Sequence, residues 1–152
     1  LGGGFPVGAV MAKAEVGDAM VPGTHGSTFG GNPLAMRSAN AVLELLLEND
    51  FLSNLRKMIV YFDKKMDELI KNDMQNNPII FAKKGSGMLR GFQLNEDVTA
   101  GDFSNIAREK SLLLVGAAEN TIRLLPPLNT SKEEVDNAFD ILNDIVLELK
   151  KT

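Results

Sequence analysis

The sequence predicts an α/β protein whose second part is an α+β arrangement of helices and short strands. Amphipathic segments, with apolar residues in steps of three and four, alternate with short apolar runs, as expected for helices alternating with strands. Clusters of Gly, Pro, Asn and Asp separate these segments. The 152 residues, 44% of them hydrophobic and 24% charged, are enough to bury a core.

The first part of the chain, residues 1–50, predicts loops, one strand and one helix. A glycine-rich loop opens the chain, and the apolar residues 7–12 predict a short buried strand. Residues 33–47 predict a helix, with Asn32 as its N-cap and a proline in its first position. Because this helix is apolar on several faces, we expect it to be buried on more than one side.

The second part of the chain begins with a longer helix and a hairpin. Residues 51–71 carry a clear apolar stripe, and the charged face opposite it predicts a solvated surface. Residues 79–82 and 88–94 predict the two strands of a hairpin. Thr99 and Asp102 predict the capped start of a short helix that reaches about residue 110.

Two more strands and a final helix complete this part. The apolar runs 111–115 and 121–125 predict the strands. Thr130 and Glu133 have the spacing of a capping box for the last helix, and Lys150 is expected to complement the dipole at its C-terminus. The pattern changes near residue 50, which predicts a domain over 1–50 and another over 51–152.

Composition excludes several classes of function. The net charge of −4 gives no basic surplus for nucleic acid or an acidic membrane surface. The absence of cysteine and the single histidine argue against a metal site. No apolar run approaches the roughly 20 residues that span a bilayer, and no signal peptide pattern opens the chain. We therefore expect a soluble cytoplasmic protein.

The stretch 23–33 concentrates features that suit an anion. Four glycines allow close approach of a ligand, and Ser27 and Thr28 offer adjacent hydroxyl donors. The stretch leads into the helix N-terminus at Asn32, where a phosphate is favoured. The alternative interpretation, a turn that ends in an Asn-Pro cap, fits the composition equally well.

The order of residues in this stretch resembles a family signature. Gly-Thr-His-Gly-Ser-Thr-Phe-Gly-Gly-Asn-Pro-Leu-Ala, at 23–35, is similar to a segment of the class III pyridoxal-phosphate aminotransferases, and within them most similar to the acetylornithine aminotransferases. Residues 1–9 and 122–128 resemble two further segments of the same family, in the same order. The resemblance covers nearly the whole chain.

The resemblance implies a fold and a set of site residues. It implies the fold-type I architecture, with 1–50 as the end of the large cofactor-binding domain and 51–152 as the small C-terminal domain. The implied cofactor is pyridoxal 5′-phosphate. Thr28 would bind its phosphate across a homodimer interface, Ser27 would lie beside cofactor and substrate, and Arg123 would bind a substrate carboxylate.

The resemblance also implies that one catalytic residue is outside the chain. In the family, the lysine that forms the Schiff base lies two residues before the segment that matches Leu1. We therefore expect no catalytic residue within these 152 residues, and we expect the chain alone to be inactive. The implied substrates are amino acids and 2-oxo acids, with N-acetylornithine and 2-oxoglutarate as the pair, in arginine biosynthesis.

Several alternatives stay open from the residues themselves. The parent enzyme could act on ornithine or 4-aminobutyrate, and the chain could instead be a dimerisation or scaffold fragment without catalysis. Arg123 could be a strand-edge arginine paired with a local acid. His25 is expected to shape its loop rather than act as a base. A nucleotide site at the glycines of 85–91 is disfavoured, because no βαβ unit surrounds them.

Overall fold

The computed structural model describes residues 1–75 and 77–151. Its chain forms two compact units, Leu1–Leu52 and Ser53–Thr152. Helices and a sheet are both present, which confirms the predicted mixed class. The assignment of the two parts of the chain to the large and small domains of an aminotransferase stays a prediction. Within the described residues, no helix is long and apolar enough to cross a membrane.

The first unit consists of loops and two helices, α1 (Ala14–Gly17) and α2 (Pro33–Leu46). Asn32 caps α2 as predicted, since its side-chain oxygen accepts a hydrogen bond from the backbone N–H of Ala35 at 3.0 Å. Only Ala35 and Ala39 of this helix are buried, so the prediction of burial on more than one side is wrong for this structure.

The strand predicted over 7–12 does not form. Val10 is 89% exposed and Met11 is 96% exposed, and no strand is present among residues 1–52, all of which the structure describes. A strand is stable only when a neighbour takes its backbone hydrogen bonds and covers its apolar face. The apolar run has neither here, because the four strands of the sheet all belong to the second unit.

The second unit is a four-stranded antiparallel sheet with helices packed on one face. The strands are β1 (Ile80–Ser86), β2 (Leu89–Leu94), β3 (Val115–Ala117) and β4 (Thr121–Leu124), in the order β1-β2-β4-β3. The helices are α3 (Phe51–Asp73), α4 (Ala100–Glu109) and α5 (Lys132–Leu149). The hairpin predicted at 79–82 and 88–94 and the strand predicted at 121–125 are therefore confirmed, whereas the strand predicted at 111–115 shares only Val115 with β3.

The core of this unit lies between the sheet and the three helices. Phe92 and Ile122, opposite each other on β2 and β4, are almost fully buried. Phe62 of α3 and Phe139 of α5 meet edge to face, with ring centroids 5.3 Å apart. Alternation along β4 places Ile122 and Leu124 in this core and leaves residue 123 on the opposite face.

The N-cap of α4 lies where it was predicted, and the capping box of α5 lies one residue later. Thr99 caps α4 and accepts from the backbone N–H of Asp102 at 3.1 Å, as predicted. The capping box of α5 is formed by Ser131 and Glu134, one residue later than the predicted Thr130 and Glu133. Both pairs have the required spacing, but only Ser131 hydrogen-bonds reciprocally with the third helical residue.

The strand predicted at 111–115 begins later, at Val115. Ser111 has a positive φ of 65° and ends the α4 segment. Leu112 and Leu114 pack against the core, so pairing with β4 begins only at Val115, which lies opposite Arg123. Leu112 and Leu114, which the sequence pattern assigned to the strand, are therefore used for packing against the core instead.

Candidate functional site

The loop before α2 folds into consecutive turns. The backbone N–H of Gly30 donates to the carbonyl of Ser27 at 3.2 Å, and that of Asn32 donates to the carbonyl of Phe29 at 3.3 Å. The side-chain amide of Asn32 also donates to the carbonyl of Phe29, at 2.8 Å. The Asn-Pro cap and the donor-rich loop are therefore both present, and the two interpretations of this stretch do not exclude each other.

The hydroxyls of Ser27 and Thr28 lie exposed in this loop. Among the described residues, neither hydroxyl has a hydrogen-bond partner. Ser27 lines a concavity of about 550 Å³ within the first unit, together with the backbone-rich segment Gly30, Gly31 and Asn32. Two free donors beside glycines and a helix N-terminus form an arrangement that suits an anionic group.

Gly30 leaves room for the Ser27 hydroxyl in its present position. A Cβ atom at Gly30 would lie 2.6 Å from the Oγ of Ser27, so the hydroxyl would have to rotate away from its present position. At Gly26, in the same loop, a Cβ would meet nothing within 4 Å. A side chain at position 30 would therefore change the direction of this hydroxyl, whereas one at position 26 would not touch it.

His25 and Thr24 occupy the same loop with different environments. The hydroxyl of Thr24 donates to the carbonyl of Val21 at 2.7 Å, so it is used within the turn. His25 is exposed and has no hydrogen-bond partner among the described residues. No acid or second base that the structure describes contacts this imidazole, so the geometry gives His25 no partner for acid–base chemistry.

Arg123 lies on the face of the sheet opposite the core. It is exposed, on β4, which pairs with β2 on one side and β3 on the other. Within residues 1–75 and 77–151, its guanidinium makes no ion pair and no hydrogen bond. The alternative of a strand-edge arginine paired with a local acid is therefore wrong: the strand is interior and the guanidinium is free.

A shallow concavity of about 210 Å³ surrounds Arg123. Its walls include Lys84, Gly91 and Thr121. Lys84 is held by an ion pair with Glu119, and the hydrogen bond from Lys84 lowers the pKa of the Glu119 carboxyl. Glu119 therefore stays ionised and neutralises Lys84, and Arg90, a third cation of the lining, pairs with Asp63 at 2.8 Å. Arg123 is thus the free cation among the described residues of this concavity.

Sequence reasoning identified Arg123 but not its neighbours. Lys84 falls between the two strands predicted for the hairpin, and Gly91 was assigned only to a strand. Both reach the Arg123 concavity through strand pairing, in which Lys84 lies opposite Gly91 and Gly91 lies opposite Arg123. The register between β2 and β4 joins residues about thirty apart in the chain, and no local pattern indicates it.

The structure therefore brings together Ser27 and Thr28 in the first unit. It places Arg123 in the second unit, in a concavity of its own. Both groups expose donors that lack protein partners, a chemistry suited to phosphate at the first and to carboxylate at the second.

Comparison with known proteins identifies the family. The profile of the family described as Aminotransferase class-III matches residues 1–146. Acetylornithine aminotransferase 1 of Bradyrhizobium diazoefficiens is 40% identical over 138 residues, which are 91% of this chain and 33% of that protein. The chain thus spans about a third of the length of this curated relative.

Solved structures agree with the sequence match. The ornithine δ-aminotransferase of Plasmodium falciparum superposes with a TM-score of 0.81 and 28% identity, over 93% of this chain and 36% of that one. The ornithine aminotransferase of Toxoplasma gondii gives a TM-score of 0.79 and 27% identity, over 93% and 33% of the two chains, and is described with partial occupancy of pyridoxal phosphate at its active site. From its sequence and its fold, this chain belongs to the class III aminotransferases, a family that depends on pyridoxal phosphate.

Proposed function

We propose that this chain is the C-terminal part of an enzyme that transfers an amino group between N-acetylornithine and 2-oxoglutarate, in the cytoplasm, for arginine biosynthesis. The observation that carries the proposal is an unpaired arginine, Arg123, on the open face of the sheet in a chain that matches the class III family over 1–146. The 40% identity to an acetylornithine aminotransferase supports this donor. Ornithine is the second candidate, favoured by the structural likeness to ornithine aminotransferases.

The residues of the first unit fit the phosphate end of pyridoxal phosphate. Ser27 and Thr28 offer two free hydroxyls beside Gly30, where a Cβ would displace one of them. We assign Thr28 to the phosphate, across the interface of a homodimer, and Ser27 to the boundary between cofactor and substrate. Hydrogen bonds to a charged phosphate are about twice as strong as those between neutral groups.

Arg123 binds and orients the substrate. A guanidinium forms two parallel hydrogen bonds to a carboxylate, which fixes both the position and the plane of that group. The apolar neighbours Ile122 and Leu124 anchor its strand in the core, so the arginine sits on a rigid support. When bound, pyridoxal phosphate supplies the electron sink for the amino-group transfer.

The chain alone is expected to be inactive. No lysine is present among the described residues that line the Ser27 concavity, and amino-group transfer needs an amine that moves the α-proton of the substrate. Incubation of the purified chain with pyridoxal phosphate, N-acetylornithine and 2-oxoglutarate is expected to yield no glutamate above a protein-free control. Cofactor-dependent formation of glutamate would contradict this part of the proposal.

Binding of a carboxylate to Arg123 tests the substrate assignment. The Nε–H signal of Arg123 in ¹⁵N-labelled chain, assigned by its loss in Arg123→Gln, is expected to shift on addition of 2-oxoglutarate. Because Arg123→Gln lacks this group, the affinities of the variants are compared at the backbone N–H signal of residue 123, which all of them keep. Since a charge-assisted hydrogen bond is worth about 1.5–3 kcal/mol, the Gln variant is expected to bind at least about tenfold more weakly. Arg56→Gln, a change on the exposed surface of α3, is the matched control. Equal binding by wild type and Arg123→Gln would contradict the assignment.

The phosphate contact of Thr28 is tested with a pair of cofactor forms. The backbone N–H signal of Thr28 is expected to respond to pyridoxal phosphate and not to pyridoxal, which lacks the phosphate. Thr28→Val is expected to weaken that response about tenfold, because one hydrogen bond to a charged group is lost, whereas Thr28→Ser keeps it. A response of the same size to both cofactor forms would rule out a phosphate contact.

A further inference from the structure

A row of four residues crosses the outer face of the sheet at Arg123. Lys84 of β1 pairs with Gly91 of β2, Gly91 pairs with Arg123 of β4, and Arg123 pairs with Val115 of β3. Residues directly opposite in neighbouring strands point to the same face. Gly91 is therefore the neighbour of Arg123 on the side of β2, and it lines the same concavity.

The space above Gly91 is occupied by Thr121. A Cβ atom at Gly91 would lie 2.7 Å from the Cγ2 methyl of Thr121 and 3.1 Å from the carbonyl oxygen of Ile122. Thr121 is two residues before Arg123 and on the same face, and it is buried, with 6% of its surface exposed. Its hydroxyl donates to the carbonyl of Glu119 at 3.2 Å, which favours one rotamer of the side chain.

The neighbours of Arg123 on the sheet set the direction of its side chain. Within the described residues the guanidinium has no acid partner, so no ion pair sets its direction. Its direction depends instead on the β4 backbone and on the side chains beside it. A Cβ at position 91 would press on the Thr121 methyl group and on the backbone carbonyl of Ile122, the residue before Arg123. Since the Thr121 hydroxyl bond opposes rotation of that side chain, we expect part of the strain to pass to the β4 backbone beside Arg123.

We propose that Gly91 is a positioning residue of the carboxylate subsite: the space it leaves holds the methyl group of Thr121 and thereby fixes the segment of β4 that presents Arg123 to substrate. The inference rests on the proposed role of Arg123. Gly91 touches neither substrate nor cofactor and acts through Thr121. The substrate class concerned is the carboxylates that Arg123 binds, with 2-oxoglutarate as the probe.

The experiment follows the Arg123 Nε–H signal in Gly91→Ala during titration with 2-oxoglutarate. Since a misdirected guanidinium keeps at most one of its two hydrogen bonds, binding is expected to weaken about tenfold. Gly116→Ala is the matched control, because a Cβ there would only touch the Cβ of Ala100 at 3.6 Å, an ordinary contact. It is expected to bind as wild type.

A rescue variant separates positioning from a general loss of structure. Gly91→Ala/Thr121→Ser removes the methyl group that the new Cβ would strike, so it is expected to recover most of the binding. If Gly91→Ala does not fold, the affinity of the double variant for 2-oxoglutarate is the test of the proposal. Wild-type binding by a folded Gly91→Ala, or a double variant as weak as the single one, overturns the positioning role. If the wild-type signal responds to no carboxylate, the role of Arg123 fails, and this inference fails with it.

Discussion

Asp73→Ala is expected to lower the free energy of unfolding of the second unit by about 3–5 kcal/mol, the usual cost of removing one partner from a buried ion pair. The Asp73 side chain is 1% exposed and forms an ion pair with Lys150 at 2.9 Å. Its other oxygen accepts a hydrogen bond from the backbone N–H of Ile80 at 2.6 Å. Alanine leaves the ammonium group without its counter-charge and the first backbone donor of β1 without its acceptor.

The position of Asp73 adds to this expectation. It is the last residue of α3, where a negative charge is unfavourable beside the exposed carbonyls of a helix end. The Lys150 ammonium donates to the backbone carbonyls of Asp73 and Gln75, so it compensates both the carboxylate and the helix end. Lys150 was predicted to complement the dipole of its own helix, α5, but its ammonium group instead binds the carbonyls at the C-terminal end of α3.

Urea unfolding followed by circular dichroism at neutral pH measures the effect. The control is Glu68→Gln, which breaks the exposed Lys64–Glu68 pair on the same helix and is expected to cost less than about 0.5 kcal/mol. Asp73→Asn/Lys150→Met, which keeps an acceptor for Ile80 and removes the stranded charge, is expected to recover part of the loss. Equal destabilisation by Asp73→Ala and Glu68→Gln would contradict the interpretation.

Local sequence signals predicted the elements whose causes are local. Thr99 caps α4 because its hydroxyl and the N–H of Asp102 are three residues apart, a relation that the sequence contains. The strand predicted over 7–12 failed because a strand also needs a partner. The capping box shifted to Ser131 because two overlapping pairs met the same spacing rule, and only the geometry of the chain distinguishes them.

Charges were the least predictable part of the fold. The polar face of α3 was expected to be solvated, but Asp63 binds both Lys83, at 3.1 Å, and Arg90, at 2.8 Å. These partners lie on the hairpin, so the pairing depends on how α3 crosses the sheet. For the candidate site, Ser27, Thr28 and Arg123 came from the family resemblance, whereas Gly91 emerged only from strand register.

Gly85→Ala is expected to destabilise the second unit by about 3 kcal/mol, from the left-handed backbone and the overpacking together. Gly85 has a φ of +91°, and a Cβ there would lie 2.2 Å from the carbonyl oxygen of Leu89 and 3.0 Å from the Cα of Arg90. Both atoms belong to the backbone of the paired strand, so the clash cannot be relieved by turning a side chain.

Gly87→Ala is the matched control in the same hairpin. Gly87 has a φ of +60°, but a Cβ there would meet nothing within 4 Å, so only the backbone penalty of about 1–2 kcal/mol applies. Urea unfolding of both variants measures the difference, and equal losses would mean that the contact with β2 does not matter. The hairpin turn is also linked to the strand that carries Gly91. Arg90 of that strand donates to the carbonyls of Gly85 and Gly87 at 3.0 and 2.9 Å. A distorted hairpin would therefore disturb the strand that carries Gly91.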